Sequence, residues 1–232
     1  MNLTILSIGM FFFEKSTMFK KNKPFKYAFI EEFFDRDFYE RLYKTFPKVD
    51  DSWDSKGDYS KAQLVKGWGK YKPGEVVMNV KDPNTSKEWN KFYRYLFTKE
   101  FVDNIRKFSG IDVNRFKSFR YINYKKGGFQ LPHTHNDGPT TLIIFLYFSK
   151  NWKQGDPGGT YIASEEDESK IIFEPYNLDN SMVIMHDGPK SAHGARRIIK
   201  DVERRAVQIY FENYSPQKGW SGDKKKKALK EI

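Results

Sequence analysis

The stretch His135-Asn-Asp-Gly-Pro-Thr-Thr-Leu-Ile-Ile-Phe-Leu-Tyr-Phe-Ser-Lys-Asn-Trp152 decides how this chain is read. Residues 140–148 form a nearly continuous apolar run, which predicts a strand. Just before it, His135 and Asp137 stand two apart, so in an extended segment they share one side and can grip one metal ion. A third ligand must come from elsewhere. The chain has four histidines, and those beyond His133 and His135 are His186 and His193. His193 opens the run His193-Gly-Ala-Arg-Arg-Ile-Ile, and a strongly charged strand, Arg204-Arg-Ala-Val-Gln-Ile-Tyr-Phe, follows it. Two histidines and a carboxylate with open positions left over form the facial triad that suits non-haem Fe(II). A nearby arginine can hold the carboxylate of a co-substrate.

Taken with Gly158-Gly159, His193 and Arg204 in that order, the stretch resembles the prolyl 4-hydroxylase-like Fe(II)/2-oxoglutarate dioxygenases. That family reads His-x-Asp, an apolar strand ending in Tyr-Leu-Asn-x-x-Trp, a Gly-Gly pair, a distal histidine and a basic residue on the last core strand. The likeness runs over residues 120–211. It implies a mainly β fold, a double-stranded β-helix or jelly-roll core packed by an N-terminal helical layer. It also implies His135, Asp137 and His193 as metal ligands, Arg204 on the far carboxylate of 2-oxoglutarate, and Tyr124 as a hydrogen-bonding partner of that co-substrate. The implied activity is hydroxylation of a C–H bond with release of succinate and carbon dioxide. Fe(II), dioxygen and 2-oxoglutarate would be required, with ascorbate as reductant. Related halogenases lack the carboxylate ligand, so Asp137 argues for hydroxylation. The opening Pro24-Phe-Lys-Tyr-Ala-Phe-Ile-Glu-Glu-Phe-Phe is similar to the start of the protein prolyl hydroxylase branch, which favours a prolyl residue in a protein or peptide over a small molecule.

Two other readings compete. Gly127 and His133-Thr-His135 match the opening of the cupin signature, so a cupin-like metal enzyme would use His133, His135 and His193. Pro139 and Thr140 then stand where that signature needs glutamate, and Pro189-Lys-Ser-Ala-His193 lacks the glycine of its second motif. His133 is therefore expected at the rim. A basic nucleic-acid-binding module is the other alternative, given a formal charge of +11. Acidic residues are interspersed, however, and no aromatic-basic ladder is present, so nucleic acid is not expected. His186 directly follows the strand at residues 182–185 and suits a ligand less than His193 does. Arg204 shares a strand face with Ala206, Gln208 and Tyr210. Arg205 shares one with Val207, Ile209 and Phe211, which looks made to pack against helices. Arg196 and Arg197 are expected at the surface or the substrate entrance.

The rest of the 232 residues fit one domain at 18–213, with helical support at 18–110 and the jelly-roll core at 111–213. Residues 1–17 read as a dispensable extension or a misplaced start, and residues 214–232 as a basic tail, a frayed helix. Hydrophobic residues are 38% and aromatics 17%, enough for a core built on Phe and Tyr. With no cysteine, disulfides, thiolate metal sites and cysteine nucleophiles are excluded, which fits a cytoplasmic protein. The apolar run at 1–13 is too short to span a bilayer and lacks signal-peptide features, so no membrane role is expected. A strand is expected at 27–34. Asp35 then caps a helix at 36–46, and Pro47 ends it. Residues 48–75 read as a long loop anchored by Trp53 and Trp68. Helical spacing returns at 85–109 with an aromatic packing face, and Gly110 stops it. A turn at 125–128 and strands at 119–124, 161–162, 171–173, 182–185, 194–199 and 206–211 complete a set of short strands. Residues 48–75 and 153–157 are expected to shape the entrance.

Overall fold

The computed structural model describes residues 11–135, 141–188, 190–215 and 219–220. Helices come first. α1 is Phe11–Lys21, followed by strand β1, Tyr27–Ile30, and α2, Arg36–Lys44. Strands β2, Asp54–Asp58, and β3, Lys61–Gly67, precede α3, Lys87–Tyr95, and α4, Lys99–Ser109. The core strands are β4, Arg115–Tyr124, β5, Phe129–His133, β6, Thr141–Phe148, β7, Thr160–Ala163, and β8, Ile171–Phe173. β9, Asp179–Asp187, β10, His193–Ala195, and β11, Arg204–Glu212, complete them.

The helices begin where their side chains can satisfy the free N–H groups of a first turn. Asp35 accepts from the Phe38 amide at 3.0 Å, Ser86 from Trp89 at 3.3 Å and Thr98 from Phe101 at 3.2 Å. Gly110, at φ 65°, closes α4 on the Arg106 carbonyl. Trp89, Phe92 and Tyr93 of α3 and Phe101, Val102, Ile105 and Phe108 of α4 are buried, so the aromatic stripe is a packing face.

All core pairings are antiparallel, and one sheet runs β1-β9-β6-β11-β4-β3-β5-β10-β7-β8, with β2 on β3. β3 joins the two halves. Leu64 to Gly67 pair with β4, while Lys61 and Ala62 pair with β5. The sheet is the jelly-roll core expected from the sequence. Its outer face, with Leu142, Ile144, Leu146, Val207, Ile209 and Phe211, packs against the helices. Its inner face, with Ile143, Phe145, Tyr147, Ile122, Val183 and Ala206, forms a second cluster. All eight residues of β6 are buried, because this strand has protein on both sides.

Residues 48–75 are not a loop throughout. β2 and β3 form a hairpin there, and β3 is a core strand. The sequence hides this because β2 reads Asp-Ser-Lys-Gly-Asp and is wholly exposed, so no apolar alternation marks it. The two tryptophans are anchors as expected. Trp68 stacks on Tyr93 at 3.9 Å and donates to the Val80 carbonyl, and Trp53 donates to the Lys48 carbonyl. β1 and β10 are shorter than their expected strands, and β9 and β11 longer. α1 runs across the expected boundary at residue 17, with the Ser16 hydroxyl donating to the Phe108 carbonyl and Phe19 buried against Phe108. Residues 1–10 lie outside the described residues. At the other end Tyr214–Ser215 (β12) pairs with Gly219–Trp220 (β13), so the described start of the expected helical tail is a small hairpin. Lys224 to Lys227 lie outside the described residues. No helix among the described residues is long and apolar enough to cross a membrane.

Asn180 ties the connection between β1 and α2 to β9. Its backbone sits at φ 53°, where asparagine is among the better-tolerated residues. Its side chain accepts from the Phe34 amide and donates to the Phe34 carbonyl, both at 2.9 Å. Asn180→Ala should therefore cost about 2–4 kcal/mol, since two buried backbone groups lose their partners and alanine is strained at that φ. Urea denaturation measures this, and an unchanged midpoint would refute it. At Gly194 in β10, a Cβ would lie 2.4 Å from Tyr161 Oη and 2.6 Å from the Gln130 carbonyl oxygen. Gly194→Ala should lower the thermal midpoint by roughly 2–10 °C, the effect of 1–3 kcal/mol of overpacking in a chain of this size.

Candidate metal centre

β5 ends on His133, and β10 begins on His193 directly opposite it in the antiparallel ladder. The backbone pairing alone brings these two side chains together. His135, two residues past His133, joins them. Ring centroids lie 4.4 Å apart for His133 and His193, 4.8 Å for His133 and His135, and 5.0 Å for His135 and His193. The nearest ring nitrogens of the three fall within 4.8 Å of one another, a spacing that one metal ion can bridge. Asp137 lies outside the described residues. His186 alternates to the other side of β9 from Asp187 and is not part of this cluster.

The ring orientations suit metal binding. Nδ1 of His193 lies 2.7 Å from the Ser191 carbonyl oxygen, and Nδ1 of His133 lies 3.0 Å from that of Leu131. A carbonyl can only accept, so each Nδ1 carries the proton and each Nε2 keeps a lone pair. Burial, and then the neighbouring imidazoles, hold His193 well below the ordinary histidine range. Burial, followed by the charge of His135, brings His133 down to about 4. Both rings are neutral near pH 7, as ligands must be. Behind His135 stands Asp187, fully buried at the end of β9, with Oδ1 3.4 Å from His135 Nδ1.

Arg204 is 1% exposed on the inner face of β11. Its Nε donates to the Gly158 carbonyl at 2.9 Å and its Nη2 to Thr160 Oγ1 at 2.8 Å. Its guanidinium carbon lies 4.9 Å from the Tyr124 ring centroid and 5.0 Å from that of Tyr147. No carboxylate lies within 4.0 Å of it among the described residues. The Gly-Gly pair has a physical use here. Gly158 sits at φ 121°, where a side chain is strained, and a Cβ there would also press on Ile198 Cδ1 and Trp152, so glycine suits the turn that presents this carbonyl to the arginine. Tyr124 donates to Gln63 Oε1 at 2.9 Å, and burial raises its pKa.

The other three candidate arginines have different surroundings. Arg205 lies on the helix side, near the rings of Tyr43 and Phe46 and paired with Glu203. Arg196 pairs with Glu174, and Arg197 is exposed. His133, expected at the rim in the dioxygenase reading and as a ligand in the cupin-like one, is in the cluster. Other residues of this inner face escaped the sequence reading. Gln63 falls in a segment expected to be a loop. Tyr147 and Thr160 flank Arg204, and Thr160 N donates to Tyr147 Oη at 3.2 Å. Arg120 on β4 donates to Gln208 opposite it. The available signal was a charged or amide residue at an inward position of an otherwise apolar strand, as at Arg120, Gln208 and Asp187.

No family model and no curated protein matches the sequence. Solved structures do match the fold. A prolyl 4-hydroxylase from Pseudomonas putida is 12% identical, with 85% of this chain and 98% of that one covered at a TM-score of 0.61. A 2OG-Fe(II) oxygenase family oxidoreductase from Burkholderia pseudomallei is 10% identical, with 87% and 90% covered at 0.60. HygX from Streptomyces hygroscopicus, solved with nickel and 2-oxoglutarate bound, is 12% identical, with 86% of each chain covered at 0.57. This chain has the prolyl 4-hydroxylase-like fold of the 2-oxoglutarate/Fe(II) oxygenases, and a cluster of three histidines stands on its inner face.

Proposed function

We propose that this protein is an Fe(II)- and 2-oxoglutarate-dependent dioxygenase that hydroxylates a C–H bond, releasing succinate and carbon dioxide. One observation carries the reading. A buried arginine without a carboxylate partner among the described residues shares the inner face with three imidazoles that can take one metal. Thr160, which Arg204 grips, pairs with Ala195, two residues along β10 from His193. Two residues of strand rise span about 6–7 Å, comparable to the reach of a five-carbon dicarboxylate.

His135 and His193 would hold the metal. The third place has two candidates, Asp137 by resemblance and His133 by position. Arg204 would pair with the far carboxylate of the co-substrate, with Tyr124 and Tyr147 flanking it. Iron and the 2-oxo acid, when bound, supply the oxidising chemistry. The chain orients them and, through Ile122, Phe145 and Ile162, keeps water from the bound pair. The cupin-like alternative needs the same three histidines but has no use for a desolvated arginine. A nucleic-acid module has no use for either.

For the prime substrate, a prolyl residue in a protein or peptide is favoured. The Pseudomonas neighbour is a prolyl 4-hydroxylase, and a Trichoplax adhaerens neighbour is a prolyl hydroxylase in complex with a hypoxia inducible factor peptide fragment. A small molecule is the second reading, because HygX is also solved with hygromycin B bound. Arg120, near His133 and His193 and without a carboxylate within 4.0 Å among the described residues, adds a positive charge that suits an acidic group on the substrate.

Succinate release from 2-oxoglutarate, with Fe(II), ascorbate and oxygen, tests the reading. The wild type is expected to turn over or, without its prime substrate, to bind 2-oxoglutarate in the presence of Fe(II). Arg204→Ala should weaken 2-oxoglutarate by on the order of 30-fold or more, the effect of losing one partner of a buried charge pair. His193→Ala should abolish succinate release. Neither turnover nor metal-dependent 2-oxoglutarate binding by the wild type would overturn the reading.

A further inference from the structure

We infer that Nε2 of His133, rather than the Asp137 carboxylate, is the third protein ligand of the metal, and that buried Asp187 positions His135 by accepting its Nδ1 proton. The inference rests on reading the histidine cluster as a metal centre and deepens that reading. It makes the ligand set three imidazoles with a carboxylate behind one of them.

Strand pairing is the first argument. Across the β5–β10 ladder His133 faces His193, and their rings are the closest pair of the three. A side chain in register with an agreed ligand cannot easily be kept out of the metal's reach. Tautomer is the second. His133 and His193 each point Nδ1 at a backbone carbonyl two residues upstream in sequence, Leu131 and Ser191. The two rings are held alike, and both keep the lone pair on Nε2.

Asp187 is the third and independent argument. It is fully buried, yet its Oδ2 has no hydrogen-bond partner among the described residues, and neither has Nδ1 of His135. Its Oδ1 faces that Nδ1 at 3.4 Å and accepts from Ser191 Oγ at 3.2 Å. A buried carboxylate left short of partners is costly, so its retention asks for a reason. A ligating histidine commonly donates its other N–H to a carboxylate, which fixes the ring and makes the bound nitrogen more basic. Asp187 and His135 are placed for that pairing, with His135 Nε2 left for the metal. Asp187 itself stays outside the set of metal-competent groups. Three neutral ligands also leave the full charge of a divalent ion to attract an anionic co-substrate.

One contact opposes this. The Gln130 amide nitrogen lies 3.3 Å from His133 Nε2. That is a long hydrogen bond, and a metal ion offers the same lone pair a stronger partner.

Co(II) binding to the apo full-length chain, followed by visible absorption, tests the assignment without turnover. Asp137→Ala is expected to bind Co(II) with wild-type affinity and spectrum. His133→Ala should lose on the order of 100-fold or more and change the spectrum, and the isosteric Asp187→Asn should lose roughly 10–100-fold. Thermal unfolding of the apo variants shows whether each is folded, and His133→Gln replaces His133→Ala if the latter is not. Asp137→Ala weakening Co(II) as much as the His133 variant does would overturn the inference. So would wild-type binding by the His133 and Asp187 variants. Failure of the wild type itself to bind Co(II) would instead overturn the metal-enzyme reading on which the inference rests.

Discussion

The central sheet is buried on both faces, and everything else follows from that constraint. β6 and β11 have helices on one side and the inner cluster of the jelly roll on the other. Residues at alternate positions therefore face two different interiors. The outer one is apolar and aromatic, filled by Trp89, Phe92, Phe148 and their neighbours. Burial of these large rings is the main favourable term, on the order of 2–3 kcal/mol each. It lets the inner face carry groups that a small core could not tolerate.

Those inner groups are polar at selected places. Arg204, Gln208, His193, Asp187 and Gln63 are all buried. Each would be costly alone, and each has a local reason to stay. Arg204 has the Gly158 carbonyl and the Thr160 hydroxyl, together with two tyrosine rings, and His193 has the Ser191 carbonyl. What these contacts leave over is chemical capacity: imidazole lone pairs on one side and a desolvated guanidinium on the other. A dry setting strengthens both.

The short strand β10 shows how little backbone this needs. It has three residues, pairs with β5 and β7, and tolerates no side chain at Gly194. Its register sets which histidine meets His193. The Gly158 turn, at φ 121°, sets the carbonyl that Arg204 grips.

By itself the sequence determined the jelly-roll class, the helical layer with its cap at Asp35, the apolar strand at 140–148, and the strand face that Arg204 shares with Ala206 and Gln208. These are local or periodic signals: alternation, helical spacing, and capping residues at element ends. The family resemblance also set His135 and His193 in one site. Only the tertiary structure decided that β2 and β3 are strands, because β2 carries no apolar residue and its hydrogen bonds come from a partner. Only the structure brought His133 level with His193 and set Asp187 behind His135. Those placements depend on strand register and on which distant segments share a face, and no spacing within a single stretch of chain encodes them.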